Sequence, residues 1–126
     1  MTDDWRRRLG ALGERLAADH LAARGYEVIE RNFRTRFGEL DLVARRARFL
    51  VFCEVKTRVG SRGPGPFGPL ASVGPRKRVQ LRRMAGQWLH ERGGASGTAE
   101  ARFDVIGITL DPAGRVLALE HLEDAF

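Results

Sequence analysis

Asp41, Glu54 and Lys56 are the residues whose types and spacing in this chain point to chemistry. They lie in GELDLV and FLVFCEVK, and the second of these, the most apolar run, ends with a carboxylate and an ammonium two residues apart. Strand side chains alternate, so Leu50, Phe52, Glu54 and Lys56 are expected on one face and Phe49, Val51, Cys53 and Val55 on the other. On the preceding segment Glu39, Asp41 and Val43 share a face opposite Leu40, Leu42 and Ala44. A two-residue turn at Arg46 and Ala47 sets Arg45 opposite Arg48 and Asp41 opposite Phe52, diagonal to Glu54, so that the three charged groups converge. A three-residue turn would send Asp41 to the wrong face unless a bulge restored the phase.

Two carboxylates held that close raise one another's pKa, and desolvation raises it further. A hard divalent cation relieves both effects. Mg²⁺, with Mn²⁺ as a substitute, takes one or two protein carboxylates together with water and substrate phosphate. Such an ion lowers the pKa of a water and stabilises charge on a phosphate, while a lysine beside it orients the water or meets developing charge. The expected chemistry is phosphodiester hydrolysis. The competing reading is an ion pair, Asp41 with Lys56 or Glu54 with Lys56, closing the end of a sheet. Nine Glu and two Lys among 126 residues give E-x-K by chance roughly 0.14 times. Because 20 of the 22 basic residues are arginine, Lys56 and Lys77 stand out as places where a compact ammonium is needed and a guanidinium fork does not fit.

Charge is unevenly placed. Between Val55 and His90 there is no Asp or Glu, while Lys56, Arg58, Arg62, Arg76, Lys77, Arg78, Arg82 and Arg83 make that stretch +8. The remainder carries 14 basic and 16 acidic residues. A basic block beside a balanced body is the footprint of a phosphate-backbone partner, and a solvated basic face is its alternative. The one cysteine, Cys53, lies in the apolar run and reads as a buried thiol. His20, His90 and His121 lack zinc-ligand spacing, so metal ligands should be oxygens. No apolar run is long enough to span a bilayer, and MTDDWRRRLG lacks the core of a signal peptide, so a cytoplasmic protein away from membranes is expected.

These residues need elements to hold them, and a single domain, 1–126, is the simplest organisation. Trp5, Leu9, Leu12 and Leu16 repeat as one helix face, predicting a helix from about Asp4 to Arg24, stopped by Gly25. Strands are predicted over Tyr26–Phe33, Gly38–Arg45 and Arg48–Lys56. A Gly/Pro-rich, mobile loop is expected at about 57–74. Pro75 suits the first turn of a second helix with Leu81, Met84, Ala85, Trp88 and Leu89 as its buried stripe, ended by Gly93 and Gly94. ASGTAEA reads as a linker, Phe103–Leu110 as a strand, and Arg115 to about Glu120 as a last short one. A strand, a helix and a further strand predict a parallel crossover, so the sheet is expected to be mixed.

The string GELDLVARRARFLVFCEVKTR, with N-F-R before it and RFDVIGI after it, resembles the YraN-like family of small bacterial proteins. That family is similar to Holliday-junction-resolvase-type nucleases of the restriction-endonuclease-like PD-(D/E)xK superfamily. The resemblance spans nearly the whole chain. It implies an α/β fold with an αβββαβ core and a mixed sheet flanked by helices. Asp41 and Glu54 would be metal ligands, the Val55 carbonyl a third, and Lys56 the catalytic lysine. Glu14, in the first helix, matches an extra acidic position of resolvase-like members. Leu40 stands where the motif has proline, a residue that offers no metal-binding side chain.

Helical geometry puts Glu14 within about 60° of Gly10, Ala17 and Leu21, a small-residue stripe able to approach the sheet. A solvated acid pairing with Arg7 is its alternative. Lys77 extends the second helix's buried face toward the strand ends, where it or Arg76 is positioned to hold phosphate, and a snorkelling lysine is the alternative. Asp104 is expected to pair with Arg58 or Arg102, and Trp88 to be core. The leading expectation is a metal-dependent endonuclease acting on DNA, branched or otherwise structured, in repair or recombination. An inactive nucleic-acid-binding module and an assembly factor for an acidic protein partner are the rivals. A homodimer is compatible with the sequence and not specified by it.

Overall fold

The computed structural model describes residues 3–60, 73–93 and 99–126. Helix α1 (Asp3–Ala23) is followed by strands β1 (Glu27–Thr35), β2 (Gly38–Arg46) and β3 (Phe49–Val59), helix α2 (Pro75–Trp88) with a π-helical turn over Leu89–Gly93, and strands β4 (Glu100–Leu110) and β5 (Val116–Leu122). The five strands form one sheet in the order β1-β2-β3-β4-β5, antiparallel except where β3 and β4 run parallel on either side of α2. The αβββαβ order and the mixed sheet are therefore present. No helix among the described residues is long and apolar enough to cross a membrane.

Local chemistry accounts for the boundaries. Gly25, at φ +87, ends α1, with Tyr26 N–H donating to Leu21 O at 3.0 Å and Gly25 N–H to Ala22 O at 3.1 Å. These are the paired bonds of a Schellman cap, which needs a left-handed residue. Helix α2 opens at Pro75, whose missing N–H costs nothing in a first turn. The last strand runs Val116–Leu122, two residues further than expected.

Two apolar layers sandwich the sheet. Leu81, Met84, Ala85 and Trp88 of α2 pack with Phe33, Val43, Leu50 and Phe52. On the opposite side Ala17, Ala18 and Leu21 of α1 pack with Leu42, Ala44, Val51, Cys53 and Ile106. The alternation expected of β3 is thus met, and Cys53 is buried.

Four expectations are corrected. The hairpin turn is Ala47–Arg48, one residue later than expected, because Arg46 stays in the ladder opposite Phe49 while Arg48 O accepts the Glu100 N–H at 2.8 Å. Leu40 leaves the face of Leu42 and Ala44 and joins the α2-side core with Phe33, so the alternation of β2 breaks at Asp41. Residues 57–59 are strand, because β4 continues to pair with them after β2 has parted from β3 (Thr57 with Ile108, Val59 with Leu110), and Val73 is core. Most of the expected loop, including Arg62, lies outside the described residues. Finally, β4 begins at Glu100, so two residues of the expected linker are strand and most of the rest lies outside the described residues.

Candidate functional site

Beyond Cys53 the strands β2 and β3 part, the last paired residues being Leu42 and Cys53. The next backbone donor of β3, the Val55 N–H, goes to the Asp41 carboxylate at 2.8 Å. A side chain thus takes over where the backbone ladder stops, and Asp41 is fixed in the fork between the strands. Continued by one residue, the register sets Asp41 opposite Glu54, whereas the sequence reading had it opposite Phe52; the two-residue turn keeps its even length, so the parity survives the shift. Val55, expected to offer its carbonyl, meets Asp41 through its amide.

Glu54 is only 6% exposed. Its Oε1 faces two ammonium groups, Lys56 at 3.5 Å and Lys77 at 3.7 Å. Its Oε2 is buried without a hydrogen-bond partner. The second helix therefore does extend toward the strand ends through Lys77, whose ammonium meets a carboxylate there.

On the other side of Asp41, α1 approaches the sheet at Gly13, where a Cβ would come within 1.8 Å of Thr57 Oγ1. Glycine lets the helix sit close enough for its neighbour Glu14 to reach the fork. Single carboxylate oxygens of Glu14, Glu39 and Asp41 all lie within 4.8 Å of one another. Asn32, at φ +53, presents its amide nitrogen to both Glu14 Oε2 and Glu39 Oε1 at 2.7 Å when oriented to satisfy them. Asn is among the few side-chain-bearing residues that tolerate this backbone region. The sequence reading gave Glu39 and Asn32 no role, although E-x-D and N-F-R were both in view. It expected Glu54 as a ligand beside Asp41, and the structure leaves Glu54 outside the three-carboxylate group, among the lysines.

Burial first, then the Glu54 charge, pushes the Asp41 carboxyl up to about 7, against the lowering effect of the Val55 N–H. Burial and the neighbouring Glu39 charge also raise Glu14, while Asn32 pulls it back. Carboxylates raised in this way are short of positive charge.

The basic block divides by contact. Arg76 and Arg83 are exposed on α2, with Arg83 over the Phe37 ring at 5.7 Å. Arg78 Nε donates to Val73 O at 2.9 Å, and Arg82 lies over Phe103 at 5.0 Å. Arg58 is half-buried on β3. Asp104 takes Arg102, not Arg58, in a two-pronged pair at 2.9 and 2.8 Å. It also accepts from His121 at 2.8 Å, and His121 in turn meets His20 at 3.0 Å. No sequence spacing announced that histidine pair, because 101 residues separate its members.

Residues 13–108 match the model of the family described as Uncharacterised protein family UPF0102, and the chain belongs to that family. It is 48% identical over 119 residues to a UPF0102 protein of Frankia alni, covering 94% of this chain and 93% of the relative. A UPF0102 protein of Moorella thermoacetica is 44% identical over 122 residues, covering 96% of this chain and 97% of the relative. A solved structure, that of Pyrococcus furiosus SfsA in complex with Ca²⁺, overlaps with a TM-score of 0.35 at 15% identity, covering 94% of this chain and 63% of that one. So slight an overlap carries no weight below.

Proposed function

We propose that this UPF0102 protein is a divalent-metal-dependent endonuclease that hydrolyses DNA phosphodiester bonds. One observation carries the reading: the carboxylates of Glu14, Glu39 and Asp41 meet in the fork of β2 and β3, beside the Glu54 charge, with too few donors. Asp41 is pushed up to about 7, and the buried Glu54 Oε2 has no partner. Leaving such an acceptor unmade costs about 1–3 kcal/mol. The donor set is all oxygen and suits Mg²⁺ or Mn²⁺. Asp41, Glu14 and Glu39 would hold the ion, with Glu54 Oε2 and the Val55 carbonyl as the adjoining acceptors. When bound, the ion supplies Lewis-acid polarisation of a phosphate oxygen and an acidified water.

The chain's own residues supply the rest. The Val55 N–H fixes the Asp41 carboxylate, and Asn32 orients Glu14 and Glu39. Lys56 sits beside Glu54 at the mouth of the fork, where its ammonium meets charge developing on the phosphate. Lys77 balances Glu54 from α2, and the exposed Arg76 and Arg83 draw in the phosphate backbone.

A second reading, an inactive nucleic-acid-binding module, has its own observation: two lysines on one oxygen of Glu54 resemble an ion-pair plug. A cleavage panel of single-stranded, duplex, flap and four-way DNA, with Mg²⁺, Mn²⁺ or EDTA, separates them. The nuclease reading expects metal-dependent products that Asp41→Asn abolishes. Salt-sensitive binding without products would leave the module, and neither binding nor cleavage would favour an assembly factor for an acidic protein.

A further inference from the structure

Helix α2 and the β1–β2 turn enclose a cleft of about 580 Å³ lined by Phe37, Pro75, Arg76, Val79, Gln80 and Arg83. The turn is rigid. Phe37 N–H donates to Thr35 Oγ1 at 3.0 Å, Thr35 Oγ1 donates to Gly38 O at 2.9 Å, and the Gln80 amide nitrogen donates to Phe37 O. Gly38 stands at φ +131 with Gln80 Nε2 only 2.8 Å from where a Cβ would be, so glycine permits this seating. Arg36 and Arg83 lie over the Phe37 ring at 4.9 and 5.7 Å.

The walls are of two kinds. Val79 is 51% exposed, the most open large apolar side chain among the described residues, and arginines flank it in the cleft. An apolar wall under a cationic rim with no carboxylate lining fits a flat apolar body attached to an anion. The volume falls in the range of small-ligand sites. A nucleotide has that make-up: a base with apolar faces and polar edges, joined to phosphate.

The cleft and the carboxylates are carried by the same two segments, the β1–β2 turn with the start of β2 and the first turn of α2. Arg76, in the cleft wall, precedes Lys77, whose ammonium reaches Glu54, and Phe37 stands two residues before Glu39 of the Glu14–Glu39–Asp41 group. We propose that the cleft takes one unpaired nucleobase next to the phosphate that the carboxylates address, with Phe37, Val79 and the Arg83 plane packing on its faces and Arg76 on a flanking phosphate. The proposal rests on the nucleic-acid substrate of the preceding reading and narrows it to strands bearing an unstacked nucleotide, since a base within a duplex cannot enter a side pocket.

The test is equilibrium binding in EDTA to a plain duplex and to the same duplex with one bulged 2-aminopurine, by wild type, Phe37→Leu and Val79→Glu. Wild type should favour the bulged duplex by about tenfold, the scale of one base stacked on an aromatic side chain. Its binding should also change the 2-aminopurine fluorescence. Both variants should lose the preference. Val79 is exposed on the helix, so Val79→Glu remains informative if Phe37→Leu fails to fold. An unchanged preference in a folded Val79→Glu protein, or no preference in wild type, overturns the proposal. So does a wild-type dimer that Val79→Glu dissociates, which gives the cleft to a second copy of the chain. Cleavage assayed separately keeps the two readings apart. A Val79-dependent preference without metal-dependent cleavage sinks the nuclease and leaves the cleft, whereas cleavage lost in Asp41→Asn without any base preference sinks the cleft alone.

Discussion

Asp41 holds the fork of β2 and β3 with one oxygen and contributes unbalanced charge with the other, and two predictions follow from that double duty. Asp41→Asn keeps an acceptor for the Val55 N–H but loses the charge, so cleavage should fall by roughly a hundredfold or more while DNA binding stays measurable. Lys56→Ala should do likewise, by removing charge at the mouth of the fork. Single-turnover cleavage beside equilibrium binding checks both, and cleavage at the wild-type rate in either variant counts against the mechanism. Stability should move the other way. In EDTA, Asp41→Asn should be at least as stable as wild type, because repulsion from Glu54 is gone. Millimolar Mg²⁺ or Mn²⁺ should raise the wild-type melting temperature, and the variant should lose most of that rise. An ion-pair plug predicts a destabilised variant and no response to metal.

Helices decide how charge reaches the sheet. Gly13 lets α1 lie against Thr57, and a methyl there would meet Thr57 Oγ1 at 1.8 Å and its Cβ at 2.8 Å. Thr57 is β-branched and cannot swing aside, so Gly13→Ala should push the helix outward and cost about 1–3 kcal/mol. Glu14 would move with it, so chemical denaturation and metal titration of this variant should show weaker folding and weaker metal stabilisation together. Helix α2 carries the basic block, and its arginines should differ. Arg76 is exposed, so Arg76→Ala should flatten the log–log salt dependence of DNA binding by about one unit. Arg78 is bonded to Val73 O and Arg82 lies over Phe103, so their replacement should lower the melting temperature as well. A salt slope unchanged after combined replacement of Arg76, Lys77, Arg78, Arg82 and Arg83 would make the block a solvated surface.

At the scale of the molecule, a polar relay ties α1 to the far edge of the sheet. Tyr26 accepts from Arg102, Arg102 and His121 both hold Asp104, and His121 meets His20. Asp104 has no solvent exposure. Burial alone would raise its carboxyl, but hydrogen bonds from His121, Arg102 and the Asp124 N–H hold it below its ordinary 3.8. That contribution is present above pH 3.8 and disappears as pH falls through the folded value. His20 is lowered from 6.5 by burial first, then by His121 and Arg24. The unfolded chain therefore takes up the His20 proton before the folded one does, and stability should decline as pH drops from 6.5 toward the folded value. Asp41, raised to about 7, gains stability over the same fall in pH, so the His20 effect should appear as a difference: in urea melts from pH 8 to pH 5, wild type should lose stability relative to His20→Gln, with the Asp104 contribution intact throughout.

Periodicity made the elements readable. Apolar residues repeating every three or four positions marked both helices, alternation in 49–56 placed Glu54 and Lys56 on one face, and an even hairpin loop was enough to bring Asp41 toward them. These are consequences of bonding between near neighbours in sequence. The register itself was not so determined, because moving a two-residue turn by one position along the chain keeps the pattern of faces while changing every partner. Nor was the break at Leu40, where packing against Phe33 overrides the alternation. The meeting of Glu14, Glu39 and Asp41, the reach of Lys77 to Glu54 and the pairing of His20 with His121 each join separate elements. How close two elements come depends on side chains belonging to neither functional group, as the Gly13 contact with Thr57 shows, so only the packed structure decides which charges face one another.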